Sequence, residues 1–568
     1  GITIGKTGVG AATFAGPADI TAINVQSGLL KFTGGITSPS QVTSIIVAGE
    51  GLLQLFDGVG TPLSNLTTLN LGAGSGTATL ELDAGLTTDK LTATTAAVVA
   101  NTIKFNIRDV GLSPGGTYSL LVAPSGLAAG SYTLGPIGGY TGSTLNVTDT
   151  LVQLTLGTAV SGAMYWNGAG SSLEWNLVDG LGNGLNWATD KAGTVTPAPT
   201  IPGAGTSVVF QADNAVAAGV GLPLATTLEQ SVRINNLVVE TATAPLTALS
   251  IGPGAIPTNR LTIQPISSVD GIDIKTGAAQ GVLISSQLAA GSAQTWNVGD
   301  FNSVALTGGV TTTGSPTVTV GSTASLVPGM QIVGPGIPTG AVITQINGAT
   351  SFTMSANATG QNAALQNYTA TSALTASGGL FGSGNITKTG SGRVVLSGAG
   401  NTYTGTAVNV IGGILELQNV TALGGVAATP GTGATVTVNG GAMFRYNSAT
   451  AGTVANPIVL NGGTLASGGY TSNATSLALT AINHTFSGPV TLAADSAVSM
   501  SDLGAGATPG HTVTLSGVLS GAAKLTVDSV GTVSSGNQLT GTLVLSTANP
   551  SWTGGMTLKR GTVDLRMV

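Results

Sequence analysis

Residues 384–425 read GNITKTGSGRVVLSGAGNTYTGTAVNVIGGILELQNVTALGG, and this stretch decides the fold. It contains two short runs of strand-forming residues, RVVL at 393–396 and GILEL at 413–417. Between them, NTYTG at 401–405 has the Asn, Thr and Gly composition of a turn. Gly, Thr, Val and Ser dominate, and no apolar stripe with a period of 3.6 residues persists. The stretch therefore indicates an all-β chain.

The same order of parts recurs near both ends of the sequence. KTGVGAATFAG at 6–16 aligns with KTGSGRVVLSG at 388–398. Further on, GTLVLS at 541–546 is followed by WTGG at 552–555 and GTVDL at 561–565. Self-similarity of this kind is typical of a repeat architecture.

These segments resemble the autotransporter-associated β-strand repeat, which occurs in very large secreted bacterial surface proteins. The resemblance implies a passenger built as a parallel β-solenoid. It also implies an extracellular or cell-surface location, and a shaft instead of a compact enzyme.

A single glycine followed by alternating apolar residues recurs more often than the full motif. It occurs at Gly28, Gly51 and Gly76, which are 23 and 25 residues apart. Later copies at 413, 441 and 463 are 28 and 22 residues apart. This period fits one coil of a solenoid, so the three strands after these first glycines are predicted to lie in successive coils.

The predicted fold is a right-handed parallel β-solenoid with coils of roughly 20 to 28 residues. Roughly 20 coils stacked about 4.8 Å apart predict a shaft near 100 Å, with helix below about 10% of residues. The composition agrees with thin stacked coils, because Gly supplies 88 of 568 residues, aromatic residues only 4% and charged residues only 7%.

The sequence predicts four parts. Residues 1–160 form the first part of the solenoid, and residues 161–308 restart it with a Trp-rich segment. Residues 309–371 contain four short strands separated by Gly and Pro turns, which predicts a small antiparallel β-module that protrudes from the shaft. Residues 372–568 continue the solenoid with the repeats described above.

Three of the five tryptophans, Trp166, Trp175 and Trp187, lie within 22 positions. One interpretation is a local aromatic cluster that caps the start of the second solenoid part. The other is an exposed platform on which sugar rings stack, which would make surface glycans a partner.

Groups suited to catalysis are sparse. The two histidines, His484 and His511, are flanked by Thr, Ser and Gly and are predicted to lie at the surface or in turns. The densest carboxylate pair, Asp270 and Asp273, would point to opposite faces of a strand. We predict no enzyme activity and no catalytic, cofactor-binding or metal-binding residues. A carbohydrate-active enzyme on the same scaffold is the alternative.

Charge and composition exclude several other classes. A net charge of −6 with only 16 Lys and Arg residues gives no footprint for nucleic acid. The absence of Cys excludes disulfides and thiolate metal sites. The sequence contains no run of 18 apolar residues, so no membrane-spanning helix is predicted.

The sequence opens and closes within repeats, which predicts either a processed product or a segment of a longer chain. Ordinary coils at both ends expose unpaired strand edges, so we expect the C-terminal coil of one copy to dock on the N-terminal coil of the next. The expected function is a structural subunit of a bacterial surface fibre that assembles head-to-tail as a homopolymer. An adhesin or sugar-binding surface protein is the alternative.

Overall fold

Most strands of the first solenoid, residues 2–159, stack in parallel because each coil places an apolar run at the same position as the coil before. At its end the pairing is antiparallel, for Leu151–Thr155 with both Thr117–Val122 and Thr144–Val147 and for Tyr140–Thr141 with Thr158–Ala159. The computed structural model describes the chain except residues 1, 15–18, 33–35, 37, 56–61, 86, 179–182, 195–196, 212–223, 242–248, 255–256, 267–268, 280, 302, 325, 327–329, 338–340, 342, 355–356, 361–364, 372, 449–450, 469, 473–478, 482, 501–511, 529–540, 550 and 567–568.

The main face of the first solenoid is a nine-stranded sheet with parallel pairing. Its strands are Ile2–Lys6, Ala11–Phe14, Ile20–Phe32, Ser44–Leu55, Thr68–Ala73, Thr77–Gly85, Val98–Val99, Thr102–Val110 and Ser131–Leu134. The second face has five strands, Leu63–Leu66, Leu91–Ala93, Thr117–Val122, Thr144–Val147 and Leu151–Thr155. A two-stranded sheet, Tyr140–Thr141 with Thr158–Ala159, closes the stack.

The glycine period marks successive coils, as predicted. Gly28 pairs with Gly51 in parallel, and Leu52 pairs with Thr79 of the next coil. The second step is 27 residues, two more than the glycine spacing, because Gly76 lies in the turn before its strand with a φ of +90°. This left-handed conformation favours glycine, so the residue marks a corner instead of a strand start.

The second solenoid comprises residues 162–301 and 373–566 and has three faces. The first face has twelve strands, Gly162–Trp166, Trp187–Ala188, Thr206–Phe210, Asn236–Val239, Ile272–Ile274, Gln294–Val298, Ile386–Thr389, Ala407–Val410, Thr435–Asn439, Ile458–Asn461, Val490–Ala494 and Leu519–Ser520. The second face has eleven, Leu224–Thr227, Leu249–Gly252, Val282–Ile284, Leu374–Ala376, Arg393–Leu396, Ile414–Leu417, Met443–Asn447, Thr464–Gly468, Ser496–Ser499, Leu525–Asp528 and Met556–Arg560.

Two sets of five strands form the third face of the second solenoid. The earlier coils supply Val232–Ile234, Arg260–Ile263, Gln287–Ala290, Leu380–Gly382 and Thr402–Tyr403. The later coils supply Gly452–Val454, His484–Phe486, Thr512–Leu515, Thr542–Leu545 and Thr562–Leu565. A short antiparallel pair, Tyr470–Ser472 with Leu479–Ala481, lies between two of these coils.

Val, Ile and Leu at alternate strand positions fill the second solenoid. Ile414 pairs with Met443 and Met443 with Thr464, so coil steps of 29 and 21 residues replace the glycine spacings of 28 and 22. Within the described residues, helical structure consists of two 3-10 turns, Pro39–Gln41 and Leu127–Ala129. No described helix has the length and hydropathy needed to span a bilayer.

The predicted antiparallel module is a six-stranded sheet, which we call the insert. Its strands are Ser303–Thr311, Thr317–Thr319, Gln331–Val333, Ile343–Gly348, Ser351–Met354 and Gln366–Thr371. It starts six residues before the predicted boundary and has its own apolar core. The coils that flank it stack directly on each other, since Leu288 pairs with Leu380.

The two solenoids have separate cores and lie side by side. Asp109, in the fifth parallel coil of the first solenoid, forms a 2.6 Å ion pair with Arg233 of the second. Arg260, one coil further along the second solenoid, lies within electrostatic reach of Asp83 and Lys31, which belong to earlier coils of the first.

The order of these interactions shows that the first coils of the second solenoid run back along the last coils of the first, since Thr200 contacts Tyr140, Gln230 contacts Pro136 and Arg233 contacts Asp109. Over this stretch, the coil number falls in the first solenoid as it rises in the second. The chain therefore doubles back instead of forming the single shaft of about 100 Å that the coil count predicts.

Candidate functional site

The prediction that the histidines lie at the surface is wrong for His484. This residue begins a strand whose inward side chains fill the second solenoid, and it is fully buried. Its Nδ1 lies 2.8 Å from Ser467 Oγ, and its ring centroid lies 4.4 Å from that of Tyr446. Sequence neighbours did not reveal this burial because Asn483 is exposed and Thr485 is only partly buried. His511 lies outside the described residues.

Asp270 and Asp273 interact, which the prediction of opposite faces did not anticipate. The strand begins only at Ile272, so Asp270 precedes it. Burial and the neighbouring Asp273 carboxylate raise the pKa of Asp270. Asp273 itself pairs with Lys275 at 2.5 Å and accepts a hydrogen bond from Asn297. Among the described residues no three His, Asp or Glu side chains group in a way that could hold a metal ion.

The tryptophan cluster is buried. Trp166, Trp175 and Trp187 surround Phe210, with ring centroids 5.0 to 6.1 Å apart. Trp187 Nε1 donates to the carbonyl of Trp175 at 2.9 Å. The rings form the core of the first coil of the second solenoid, and their faces are not available to stack on a sugar.

Lys388 occupies an inward position of the repeat. It pairs with Trp296 in the preceding coil and with Val410 in the following coil, and its side chain is fully buried. Burial lowers the pKa of Lys388 to about 8, while Asp300 raises it, so the ammonium form dominates at neutral pH.

The ammonium group of Lys388 holds a coil corner together. It donates to the carbonyls of Thr389, Gly390 and Gly412 at 2.7, 2.8 and 3.0 Å. The last of these belongs to the next coil. At Gly413, φ is +63° and an added Cβ would lie 2.3 Å from a neighbouring carbonyl oxygen, so this corner requires glycine.

Lys6 forms the same corner in the first solenoid, as the sequence alignment of 6–16 with 388–398 suggests. It pairs with the inward Val25, and its Nζ donates to the carbonyls of Thr7, Gly8 and Ser27. The lysine therefore links one coil to the next at both places. The repeated sequence thus corresponds to a repeated hydrogen-bonded corner.

We expect Lys388→Met to destabilise the chain by about 1–3 kcal/mol, because three partly buried carbonyls lose their donor. The matched variant Lys6→Met should cost less, since the turn around Gly8 is exposed and water can replace the ammonium group. Urea-unfolding midpoints of both variants test the difference. Equal losses would show that the buried corner has no special role.

Asparagines tie adjacent coils together at a second kind of corner. Asn401 Oδ1 accepts a 2.7 Å hydrogen bond from the backbone N–H of Leu380 in the preceding coil. Asn549 Oδ1 accepts an equally long bond from Leu519. Each amide thus satisfies a backbone donor that the strand ladder leaves free.

An aromatic residue follows each asparagine and binds the preceding coil. Tyr403 Oη donates to the carbonyl of Gly384 at 2.9 Å, and Trp552 Nε1 donates to that of Ala523 at 3.1 Å. Burial raises the pKa of Tyr403 above its usual range, so the hydroxyl remains a donor at all physiological pH values. The NTYTG and WTGG segments of the sequence are therefore equivalent corners.

A buried ion triad lies on the strand face opposite the core. Glu416 is fully buried and pairs across the sheet with Arg445 of the next coil. Arg445 Nε donates to Glu416 Oε2 at 3.0 Å, and Arg393 Nη1 lies 3.4 Å from the same oxygen. Asn447 and Gln418 donate to the other carboxylate oxygen. Both oxygens of the buried carboxylate thus have polar partners.

A polar ladder lines the outer face of the first solenoid. Lys31, Gln54, Glu81 and Asn106 occupy the same position in four successive coils. Gln54 and Asn106 donate to the two carboxylate oxygens of Glu81 at 2.5 and 2.9 Å. Burial raises the pKa of Glu81 and lowers that of Lys31 to about 8. Arg260 of the second solenoid lies near this ladder.

Sequence reasoning missed Lys388, Glu416 and Glu81 as buried residues. A signal was present for two of them, because only 7% of the chain is charged and Glu416 and Glu81 each stand between two leucines within a strand. Chemically, the buried charges join coils and faces, and in the described part of the chain they do not converge on a groove. The arrangement of these residues holds neighbouring coils together.

The family model described as passenger-associated-transport-repeat matches residues 386–417 and 540–565. Each of these segments contains one corner formed by an asparagine and an aromatic residue. The first segment also contains the Lys388 corner. This repeat is found in autotransporter passengers, so the match confirms the resemblance drawn from the sequence. Passengers of this kind are secreted or surface proteins. No curated protein and no solved structure matches the chain.

Proposed function

We propose that this passenger-like chain is an extracellular structural protein, a β-solenoid building block of a bacterial surface fibre. In this proposal the chain catalyses no reaction and its partner is a further copy of itself. Neighbouring copies join where a terminal coil of one pairs with a terminal coil of another. The buried charges described above serve coil stacking, which supports a mechanical role.

The stacking construction of the coils carries this proposal, and it extends to the first and last strands that the structure describes. Ile2–Lys6 pairs on one side with Ile20–Phe32, and Thr562–Leu565 pairs on one side with Thr542–Leu545. Among the described residues neither edge strand has a partner on its other side. Ile2 is 64% exposed and Leu565 55% exposed.

Such edges favour strand addition. An edge strand presents unpaired N–H and C=O groups, and a further parallel strand satisfies them. The exposed apolar side chains would be buried by the same event. Each edge is thus a template for one more coil.

We expect aspartate substitutions at Ile2, Ile4, Val563 and Leu565 to abolish assembly, because charges would then enter the joined core. The variant should remain as soluble single particles in negative-stain electron microscopy and analytical ultracentrifugation. Aspartates at the outward positions Thr3 and Thr562 are the matched control and should leave assembly intact. Assembly that persists in the fourfold variant would refute the edge-pairing proposal.

A further inference from the structure

We infer that the first solenoid contains an autocatalytic cross-linking site, at which the side chain of Lys31 joins that of Gln54 through an isopeptide bond, with Glu81 as the catalytic acid. The bond would connect two successive coils covalently. The inference concerns the inside of one chain and is independent of how copies assemble.

Three side chains of the polar ladder bring the required groups together. Lys31 pairs with Gln54 of the next coil, and Gln54 pairs with Glu81 of the coil after it. Residues at the same position of adjacent coils lie about 4.8 Å apart. An amine, a carboxamide and a carboxyl group therefore stand in line, with the carboxamide in the middle.

Lys31 differs from Lys6 and Lys388, which each donate to three carbonyls. It is only 3% exposed, yet its Nζ makes no hydrogen bond within the part of the chain that the structure describes. Its strongest charge interaction is with Glu81, two coils away. The side chain of Lys31 therefore reaches over Gln54 towards Glu81, which places its amine beside the carboxamide.

The carboxamide of Gln54 is fully buried and incompletely bonded. Its Nε2 lies 2.5 Å from Glu81 Oε2, while its Oε1 has no hydrogen-bond partner among the described residues. Rotation about the last side-chain bond exchanges these two atoms, so that a protonated Glu81 donates to the carbonyl oxygen. Such a hydrogen bond polarises the carbonyl carbon, which is the atom that an amine attacks. Asn106 donates to the other oxygen of Glu81 at 2.9 Å and positions this acid.

The surroundings favour the reactive protonation state of both groups. Burial lowers the pKa of Lys31 to about 8, and the neighbouring Arg108 and Arg260 act in the same direction, so free amine is available near neutral pH. Burial also raises the pKa of Glu81, so the carboxyl group retains a proton more readily. Arg260 belongs to the second solenoid, so the packing of the two solenoids contributes to the site.

The reaction is a transamidation that balances without a co-reactant. The lone pair of Lys31 Nζ attacks Cδ of Gln54, and Glu81 stabilises the negative charge that develops on the oxygen. Glu81 then passes one proton from Nζ to Nε2. The bond between Cδ and Nε2 breaks, ammonia leaves, the carbonyl re-forms and Glu81 is restored. The product is a neutral amide, which removes a buried positive charge that has no hydrogen bond.

Digestion after glutamate tests for the bond, because Glu50 lies between Lys31 and Gln54 in the sequence. Cleavage of the denatured parent releases one peptide that ends at Glu50 and another that ends at Glu81, unless the cross-link joins them. We expect mass spectrometry to find one branched product, with the summed mass of both peptides less one ammonia, about 17 Da. Two separate peptides from the folded parent would overturn the inference.

Variants assign the roles of the residues. Lys31→Arg retains the charge but has no amine, and Glu81→Gln removes the proton carrier, so both should give two separate peptides. Lys104→Arg, at an exposed position of a nearby coil, is the matched control and should retain the branched product. Circular dichroism establishes that each variant is folded. A branched product from Lys31→Arg would overturn the cross-link at Lys31, and an undiminished yield from Glu81→Gln would overturn the role of Glu81.

Discussion

Replacement of Glu416 by alanine is expected to lower the free energy of unfolding by about 3–5 kcal/mol. The carboxylate is fully buried between Arg445 and Arg393, and its removal leaves two guanidinium groups without a counter-charge in a dry environment. Urea unfolding followed by circular dichroism measures the loss.

Asp528→Ala is the matched control for this variant. Asp528 lies on the same outward face of the same sheet, two coils beyond Thr464–Gly468 in strand order, and pairs with Arg560 at 2.7 Å. Both side chains of that pair are partly exposed to water, where ion pairs contribute little, so the control should unfold near the parent midpoint. Equal losses at both positions would contradict the role assigned to burial.

The triad also determines whether stability rises or falls as the pH is lowered. Burial alone would raise the pKa of Glu416, but Arg445 and Arg393 outweigh it and hold the pKa below its usual range. The stability from this lowered pKa is therefore complete above the unfolded value of about 4.3, and it is lost as pH falls through the folded value. Glu416→Gln, which cannot ionise, should lack this part of the acid dependence.

Trp187→Ala is expected to cost about 3–5 kcal/mol, because it opens a cavity in the first coil of the second solenoid. Its ring contacts Trp166 and Trp175 edge-on, and removal of its indole N–H leaves the buried carbonyl of Trp175 without this donor. Thermal unfolding monitored by tryptophan fluorescence measures the effect, since the emission of the remaining cluster reports its exposure to water.

Trp552→Ala provides the comparison. Trp552 is only partly buried and belongs to a corner of a late coil, so its truncation should be milder. If Trp187→Ala were as mild, the cluster would not be the structural start of the second solenoid.

Local patterns were sufficient to predict the solenoid and its repeats. The period of the glycines gave the coil length within a few residues, and the shared KTG at 6 and 388 gave two corners that prove equivalent bond for bond. These features were readable because each depends on residues within one coil and its neighbour.

The packing of one solenoid against the other was not readable from the sequence. It depends on pairs such as Asp109 with Arg233, which are 124 residues apart and belong to no shared motif. Burial of Glu416 and His484 was missed for a related reason. A charged or polar residue within a strand is normally solvent-facing, and only the assembled tertiary structure shows that both faces of these strands are covered.

The insert enters and leaves the second solenoid at one point. Ser303 and Thr371, its first and last paired residues, are cross-strand partners, and the flanking coils stack as though nothing lay between them. A segment whose ends are already adjacent adds little closure entropy when it grows, about 0.6 kcal/mol for each doubling in length. The solenoid can therefore carry a different domain at this position. Replacement of the insert, in evolution or by design, should leave the stability of the flanking coils unchanged.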